Sequence, residues 1–236
     1  MASEIVPIHI QLKKGAVSKR VIVAGDPSRI EAISKFLDNP KILNKYRYLV
    51  YTGQYKGKEI TLASHGIGAP SIAIAIEELY ALGGEMFIRL GTCGGVQKDQ
   101  KYGSLIIPSS AFSSGGGTIG AYVKDSKEAF EPDHDISNKL IETAKKNGKN
   151  YFVGPVFSSD AFYKENEEVS KKRDKIVGVE MECATLFMLG KLKKFKTASL
   201  LMVVDNQLEN VPFLSIDEMH RLAEEAAIIV LDTLVA

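Results

Sequence analysis

Short runs of β-branched and apolar residues alternate with longer amphipathic segments along most of this 236-residue chain. The short apolar runs predict buried strands, and the longer amphipathic segments predict helices. The predicted strands are residues 20–24, 46–55, 58–64, 85–90, 104–108, 151–157, 176–179 and 197–204. Repeated strand–helix units favour an α/β fold with a mixed, mostly parallel twisted sheet and helices on both faces. The length suits one large domain, which we expect to span residues 1–236.

Helix-capping and turn-forming residues give the predicted boundaries between these elements. Asp26 suits a helix N-cap and Pro27 the first helical position, in a helix that we expect to run to Leu37. Ser215 and Glu218 form a capping-box pattern that opens a helix running almost to the end of the chain. The sequence also predicts a turn at 55–57, a helix from Pro70 to the glycines at 83–84, a glycine-rich loop at 113–120 and a helix at 135–147.

The composition excludes several classes of function. A net charge of +1 gives no general attraction to nucleic acid or anionic lipid, so we expect neither as a partner. No apolar run reaches the length of a membrane span, and residues 1–14 lack the apolar core of a signal peptide. Two cysteines, Cys93 and Cys183, cannot form a disulfide framework. We therefore expect a cytoplasmic protein.

The first predicted strand ends in a glycine, Gly25, that is followed directly by a helix N-terminus. Backbone N–H groups of such a turn bind anions. Arg29 adds a planar guanidinium that suits phosphate. On these residues alone, a tight turn with a surface arginine is the favoured interpretation.

Arg89 is charged, yet it lies within an apolar run that predicts a buried strand ending at Leu90. Buried arginines are rare unless they are paired. The partner is either an internal carboxylate or a bound phosphate. The small residues that follow, at 91–95, would let backbone N–H groups approach an anion, and Thr92 adds a hydroxyl.

Two acids, Glu180 and Glu182, stand between a short apolar run and a second one that predicts a buried helix. Carboxylates there need partners to offset desolvation. One explanation is a helix N-terminus, whose dipole favours anions. The other is a ligand rich in hydroxyls, such as a sugar diol.

Gly25, Arg89, Glu180 and Asp205 each fall at or near the end of a predicted strand. Open α/β sheets bind ligands outside the carboxyl ends of their strands. Because the basic groups come from early strands and the acidic groups from late ones, one pocket is expected to hold an anion at one end and a polyol at the other.

A different class of enzyme also fits one stretch. The sequence Gly91-Thr-Cys-Gly-Gly95 matches a nucleophile elbow after a strand, which would make Cys93 the nucleophile of a hydrolase or amidotransferase. His134 or His220 would then be the base. This alternative leaves Arg89 without a role.

Six stretches, in this order, resemble the nucleoside phosphorylase family, whose members include hexameric purine nucleoside phosphorylases, 5'-methylthioadenosine phosphorylases and uridine phosphorylases. They are Val23-Ala-Gly-Asp-Pro-Ser-Arg29, His65-Gly-Ile-Gly-Ala-Pro-Ser71, Ile88-Arg-Leu-Gly-Thr-Cys-Gly-Gly95, Phe157-Ser-Ser-Asp-Ala-Phe-Tyr163, Val179-Glu-Met-Glu-Cys-Ala-Thr185 and Val203-Val-Asp-Asn206. The resemblance runs from about His9 to the C-terminal helix. It implies a partly barrel-like sheet and reversible phosphorolysis of an N-glycosidic bond, with phosphate as co-substrate and no metal or organic cofactor.

The resemblance also implies roles for individual residues. Phosphate would be bound by Gly25, Arg29, Arg89 and Thr92, with Arg47 supplied by a neighbouring subunit. Ribose would be bound by Glu180, Met181 and Glu182, with His9 reaching across a dimer interface to the 5' end. Phe162 would lie against the base, and Asp205 would be the general acid at purine N7, with a raised pKa. The implied assembly is a homohexamer, a trimer of dimers, with shared active sites.

The same resemblance favours a purine base over uracil. Uridine-specific members are similar to each other in a glutamine and an arginine just after the Phe-Tyr pair, whereas this chain has Lys164-Glu-Asn-Glu-Glu168 there. Two features depart from the purine branch: Val204 stands where a serine is frequent, and Arg221, deep in a predicted helix, is a poor counterpart of the arginine that supports the acid. Uridine phosphorylase stays the alternative, and both the preferred purine base, 6-oxo or 6-amino, and the 5' substituent stay open.

Overall fold

The computed structural model describes residues 5–124, 128–163, 167–206, 208 and 214–236 of the protein. Its strands are β1 (Arg20–Ala24), β2 (Asp38–Asn44), β3 (Val50–Tyr55), β4 (Lys58–Ser64), β5 (Met86–Gly95), β6 (Leu105–Ser113), β7 (Tyr151–Ser158), β8 (Gly178–Glu180) and β9 (Lys196–Asn206). Its helices are α1 (Pro27–Ser34), α2 (Ala69–Ala81), α3 (Gly117–Tyr122), α4 (His134–Lys146), α5 (Glu167–Lys172), α6 (Cys183–Lys193) and α7 (Ile216–Val235), with a 3₁₀ turn at Arg173–Lys175.

Strand β5 is the centre of the sheet, because β1, β8 and β9 all pair with it. The strand order is β2-β3-β4-β1-β5-β8-β7-β6-β9, and the additional β5–β9 pairing closes β5 to β9 into a five-stranded barrel. The other four strands extend from β5 as a wing. The pairings β1–β4, β1–β5, β5–β9, β6–β7 and β7–β8 are parallel, while four others are antiparallel. The predicted mixed, mostly parallel and partly barrel-like sheet is confirmed.

The sheet has an apolar core on each face, because successive side chains of a strand point to opposite sides. On β5, Phe87 belongs to the core under α2 and α6, whereas Ile88 belongs to the core under α1, α4 and α7. The predicted helices on both faces are therefore confirmed. Among the described helices, none combines the length and the apolar composition that a membrane span requires.

The predicted helix starts are also confirmed. The Asp26 side chain accepts a hydrogen bond from the Ser28 N–H, and Pro27 opens α1. Ser215 and Glu218 form the complete capping box at the start of α7. The first of these two caps matters for function, since it fixes the turn that carries Gly25 into α1.

Several sequence predictions differ from the structure. Helix α1 ends at Ser34 and not at Leu37, and strand β6 continues to Ser113, beyond the predicted end at residue 108. Strand β5 does not end at Leu90 but continues to Gly95, so Arg89 lies in mid-strand; residues 91–95 pair with β9, and the last two also with β8. Helix α3 lies within the predicted loop at 113–120. Strand β3 begins at Val50 and not at residue 46. The exposed strand β2 was not predicted, because its residues are mostly polar.

Candidate active site

Arg89 lies on the central strand with only 4% of its surface exposed. Its Nη2 donates to the Glu182 carboxylate, and its Nη1 is 3.4 Å from Glu180 Oε2. A Cβ on Gly91 would overlap the guanidinium, so a glycine is required beside it. Burial lowers the pKa of Arg89, but the carboxylates of Glu182 and Glu180 outweigh burial and raise the pKa overall. Arg89 is therefore charged, and its partners in the described chain are internal acids.

Glu180, the last residue of β8, holds the start of α6. Its carboxylate accepts hydrogen bonds from the backbone N–H groups of Glu182 at 2.8 Å and Cys183 at 2.9 Å, and from the Ser158 hydroxyl. The interpretation that this acid lies at a helix N-terminus is confirmed. Glu180 therefore supports the start of α6, and its predicted contact with ribose stays a prediction.

Glu182 occupies the N-cap position of α6, but its side chain makes no capping hydrogen bond. The carboxylate, in a residue that is 4% exposed, instead accepts from the Gly68 N–H at 2.7 Å and from Arg89. Burial raises the pKa of Glu182, Arg89 opposes the rise, and the charge of Glu180 adds to it. A carboxylate has about four lone-pair sites, so two protein donors leave capacity for hydroxyl groups of a ligand.

Arg29 is a second buried guanidinium, on the first turn of α1. Its Nη1 donates to the Leu90 carbonyl at 3.3 Å, and within the described ranges it forms no ion pair with a carboxylate. Burial lowers the pKa of Arg29 to about 10, and nearby Arg89 adds to that effect while Asp26 and Glu182 oppose it. A buried cation without a carboxylate partner is suited to an external anion.

Two further residues predicted to bind phosphate are Thr92 and Gly25. Thr92 is half-buried on β5, opposite Met202 of β9. Gly25 follows β1, and a Cβ there would lie only 3.0 Å from the Gly66 carbonyl oxygen. A glycine therefore allows the two loops after β1 and β4 to approach each other beside Arg29.

Asp205 lies near the end of β9, the strand that pairs with β5 along its whole length. It is paired with Gly94, where a Cβ would lie 3.1 Å from Asp205 Oδ1. The residue is half-buried, and burial raises its pKa, which is the predicted direction. Its neighbour Asn206 donates to the carbonyls of Gln97 at 2.8 Å and Gln100 at 3.0 Å, so Asn206 fixes the turn after β5 and does not orient the acid.

His9 and Arg47, predicted to serve a neighbouring subunit, lie away from this cluster. His9 Nδ1 is 2.7 Å from Glu78 Oε1, and the Glu78 carboxylate also accepts from the backbone N–H groups of residues 8–10. Arg47 is exposed, with its guanidinium carbon 5.4 Å from the centre of the Tyr46 ring. In the described part of the chain neither side chain contacts Arg89 or Glu182, and their assignment across an interface stays a prediction.

The residues predicted around the base and sugar are less enclosed. Phe162 is 62% exposed and lies edge-on to Tyr163, with ring centres 5.0 Å apart. Met181 is half-buried between the two acids of the β8–α6 joint. Residues 164–166, 207 and 209–213 lie outside the described residues, so the expectation placed on the segment after Tyr163 stays a prediction.

Comparison with known proteins identifies the family. The sequence model of the phosphorylase superfamily matches residues 19–236. The chain belongs to the phosphorylase superfamily. Similar members are the guanosine phosphorylase of Halorubrum lacusprofundi, 35% identical over 84% of this chain and 83% of that protein, and the DeoD-type purine nucleoside phosphorylase of Mycoplasma genitalium, 37% identical over 84% and 86%. The crystal structure of uridine phosphorylase from Vibrio fischeri matches with a TM-score of 0.87 and 32% identity, covering 97% of this chain and 96% of that one.

In this superfamily member the elbow-like sequence around Cys93 does not form a reactive thiol site. Cys93 is buried within β5, and its Sγ is 3.7 Å from the Met202 carbonyl oxygen. Burial raises the pKa of the thiol, so the reactive thiolate is disfavoured. His134 lies beside Glu131, and His220 is 3.0 Å from the Ser28 hydroxyl. The hydrolase alternative therefore lacks a base in the described residues.

Several residues of this site carried no predicted role. Gly68 donates its N–H to Glu182, Ser158 donates to Glu180, and Gly91 makes room for Arg89. His65 is buried beside the two arginines. In the sequence, only the stretch 65–71 pointed to these contacts. A histidine and two glycines after a strand predict that another part of the chain approaches the backbone closely, but they do not identify that part.

Proposed function

We propose that this protein is a purine nucleoside phosphorylase, which cleaves the N-glycosidic bond of purine nucleosides reversibly and yields a free purine and (deoxy)ribose 1-phosphate. The observation that carries the proposal is one cluster at β5 of two buried guanidiniums and a buried carboxylate with spare acceptor capacity, and the neighbouring strand β9 adds a half-buried acid of raised pKa. The similar proteins named for nucleoside phosphorolysis support the reaction class.

In this proposal phosphate binds between the guanidinium groups of Arg29 and Arg89, the cationic end of the site. Arg29 has no carboxylate partner in the described chain, and its guanidinium lies close enough to Arg89 for each charge to affect the other. A dianion placed between them, over Gly25 and Thr92, would offset both charges and accept bidentate hydrogen bonds. Much of the rate would come from holding this phosphate under the sugar, since positioning replaces a bimolecular encounter.

Ribose lies between phosphate and base. Glu182 contacts Arg89 directly, so the group assigned to the sugar hydroxyls touches the group assigned to phosphate. In this proposal the 2' and 3' hydroxyls bind Glu182 while C1' faces the anion. Met181 and, from a neighbouring subunit, His9 complete the sugar site.

The purine lies toward Asp205, with Phe162 against the ring. A phosphate oxygen forms a bond to C1' as the bond from C1' to N9 breaks, and the electron pair of the broken bond moves into the purine. Asp205 donates its proton to N7, so the base leaves without full negative charge. The scheme uses phosphate as co-substrate and requires neither a metal nor an organic cofactor.

Uridine phosphorylase activity is the second candidate, supported by the likeness to the Vibrio fischeri enzyme. An assay of adenosine, inosine, guanosine, 5'-methylthioadenosine and uridine, each with and without phosphate, tests both. We expect purine release only when phosphate is present, with little release of uracil. Uracil release faster than that of every purine would reverse the choice of base, and release without phosphate would exclude phosphorolysis.

Glu182→Gln is expected to lower kcat/KM for ribonucleosides about tenfold more than it lowers kcat/KM for 2'-deoxynucleosides. The physical reason is that a charged acceptor of the 2' hydroxyl becomes neutral, and hydrogen bonds to charged groups contribute about 1.5–3 kcal/mol. The measurement is kcat/KM for matched ribo- and deoxyribonucleosides in both proteins. Equal losses on the two series would show that Glu182 only supports Arg89.

Shared active sites can be tested by subunit exchange. His9→Ala and Asp205→Asn protomers should each have low activity, whereas a refolded mixture should recover part of the wild-type rate. The reason is that a hybrid pair contains one site with an intact acid from one chain and an intact His9 from the other.

Chromatographic sizing should give the proposed hexamer. A fully active monomer would contradict both predictions.

A further inference from the structure

His65 is a histidine beside the cationic end of the site that neither the sequence nor the proposed mechanism assigns. It follows β4 directly, and its backbone is fixed on both sides. The His65 N–H donates to the Ala24 carbonyl at 2.9 Å, and the His65 carbonyl accepts from the Ser71 hydroxyl at 2.5 Å. The backbone that carries the imidazole is therefore held by the end of β1 and by the first turn of α2.

The edge of the ring that carries both nitrogens faces Gly25. A Cβ on Gly25 would lie 3.6 Å from His65 Cε1, the carbon between the two nitrogens. The side chain is 0% exposed, yet neither nitrogen has a hydrogen-bond partner among the described residues. Buried polar atoms in folded proteins are nearly always paired, so two unpaired nitrogens on one ring point to a ligand.

A second unpaired donor comes from the same cluster. Arg89 Nε is buried without a partner in the described residues, although both terminal nitrogens of Arg89 are engaged. Burial, and then the charges of Arg89 and Arg29, lower the pKa of His65 well below its usual range, and the backbone groups of Gly66 and of His65 itself, which lie near the ring without completing a hydrogen bond to it, oppose this only in part. The ring is therefore neutral and offers one N–H donor and one lone pair.

We propose that His65 is a phosphate-binding residue, which donates its one N–H to an oxygen of the phosphate held by Gly25, Arg29 and Arg89. This inference rests on the proposed phosphorolytic function. A neutral donor suits the position, because a third positive charge would add to the repulsion between the two guanidiniums. The same phosphate oxygens are available to the unpaired N–H of Arg89.

The test is calorimetric titration of inorganic phosphate into the full-length protein. His65→Leu removes both nitrogens at similar volume and should weaken phosphate binding by about tenfold or more, since a hydrogen bond to a charged group is lost. His65→Asn or His65→Gln, each with one amide donor, should recover most of the affinity. The KM for nucleoside should change less than the KM for phosphate. The matched control is Ser137→Ala on α4, another buried residue whose hydroxyl is unpaired in the described chain; its phosphate affinity should equal that of wild type.

A second measurement does not depend on how the leucine variant folds. Nitrogen-15 NMR of histidine-labelled wild type should show the His65 ring resonance, assigned by its loss in His65→Gln, shifting on addition of phosphate. Wild-type phosphate affinity in His65→Leu, or an unshifted resonance while Arg29→Met weakens binding, would overturn the role of His65 and leave the proposed function standing. Failure of the wild-type protein to bind phosphate would instead reject the proposed function itself.

Discussion

Arg89→Ala is expected to lower the free energy of unfolding by about 3–5 kcal/mol and to abolish phosphate-dependent activity. The loss of stability follows because two buried carboxylates, Glu180 and Glu182, lose the cation between them. The loss of activity follows from removal of one of the two guanidiniums proposed to hold the anion. Chemical denaturation and the dependence of the initial rate on phosphate concentration measure the two effects. Arg89→Lys should remain folded but bind phosphate poorly, since a bidentate fork is lost.

Arg29→Met is the matched comparison, because it removes the other buried guanidinium. Arg29 has no carboxylate partner in the described chain, and burial lowers its pKa to about 10. A lowered pKa means that folding disfavours the protonated form, so this destabilisation is present at every pH below about 10. Arg29→Met should therefore keep or increase stability at neutral pH while raising the KM for phosphate strongly. Equal destabilisation by the two changes, with phosphate kinetics intact in both, would contradict the proposed anion site.

The contrast between these arginines shows how much of the site the sequence could predict. Both were predicted to meet phosphate, and an internal acid was the stated alternative for Arg89. The structure pairs Arg89 with Glu182, 93 positions away in the chain. That pairing depends on β8 joining β5 through only two residue pairs, which no local pattern specifies. Arg29 lies within a strand–turn–helix unit that local signals predicted, but those signals favoured a surface arginine and were wrong on that point, because Arg29 is buried.

Local signals also explain which elements were predicted well. The strands β1, β4 and β9 are buried and apolar, so their sequences differ clearly from the helices that follow. The glycine-rich half of β5 lacks such side chains and was not recognised as strand. It is held by main-chain pairing with β9 and, at its end, β8, and its glycines are required by the close approach of Arg89 and Asp205. The glycines that made this half of β5 unrecognisable as a strand are therefore the residues that leave space for the side chains of the site.

Asp205→Asn is expected to lower kcat for natural purine nucleosides by about 10²–10⁴-fold, the usual contribution of a general acid. The asparagine keeps the size and hydrogen-bonding capacity of Asp205 but cannot transfer a proton to N7. Burial raises the pKa of this acid, so folding disfavours its charged form. Its contribution to stability therefore becomes less favourable as pH rises through that pKa, and Asp205→Asn should be as stable as wild type, or more so, at neutral pH. Wild-type activity should fall on the alkaline side of the same pKa, and the variant should lack that alkaline limb.

Substrates that need no proton separate this role from a structural one. The bases of 7-methylguanosine and 7-methylinosine already carry a positive charge, so they leave without a proton at N7. The variant should therefore cleave them at close to the wild-type rate while it remains slow on guanosine and inosine. Because Asp205 lies against Gly94 of the central strand, a structural role would instead disturb the pocket for every substrate. A similar loss of kcat on methylated and natural nucleosides would show that Asp205 maintains the shape of the site and that another group assists the leaving base.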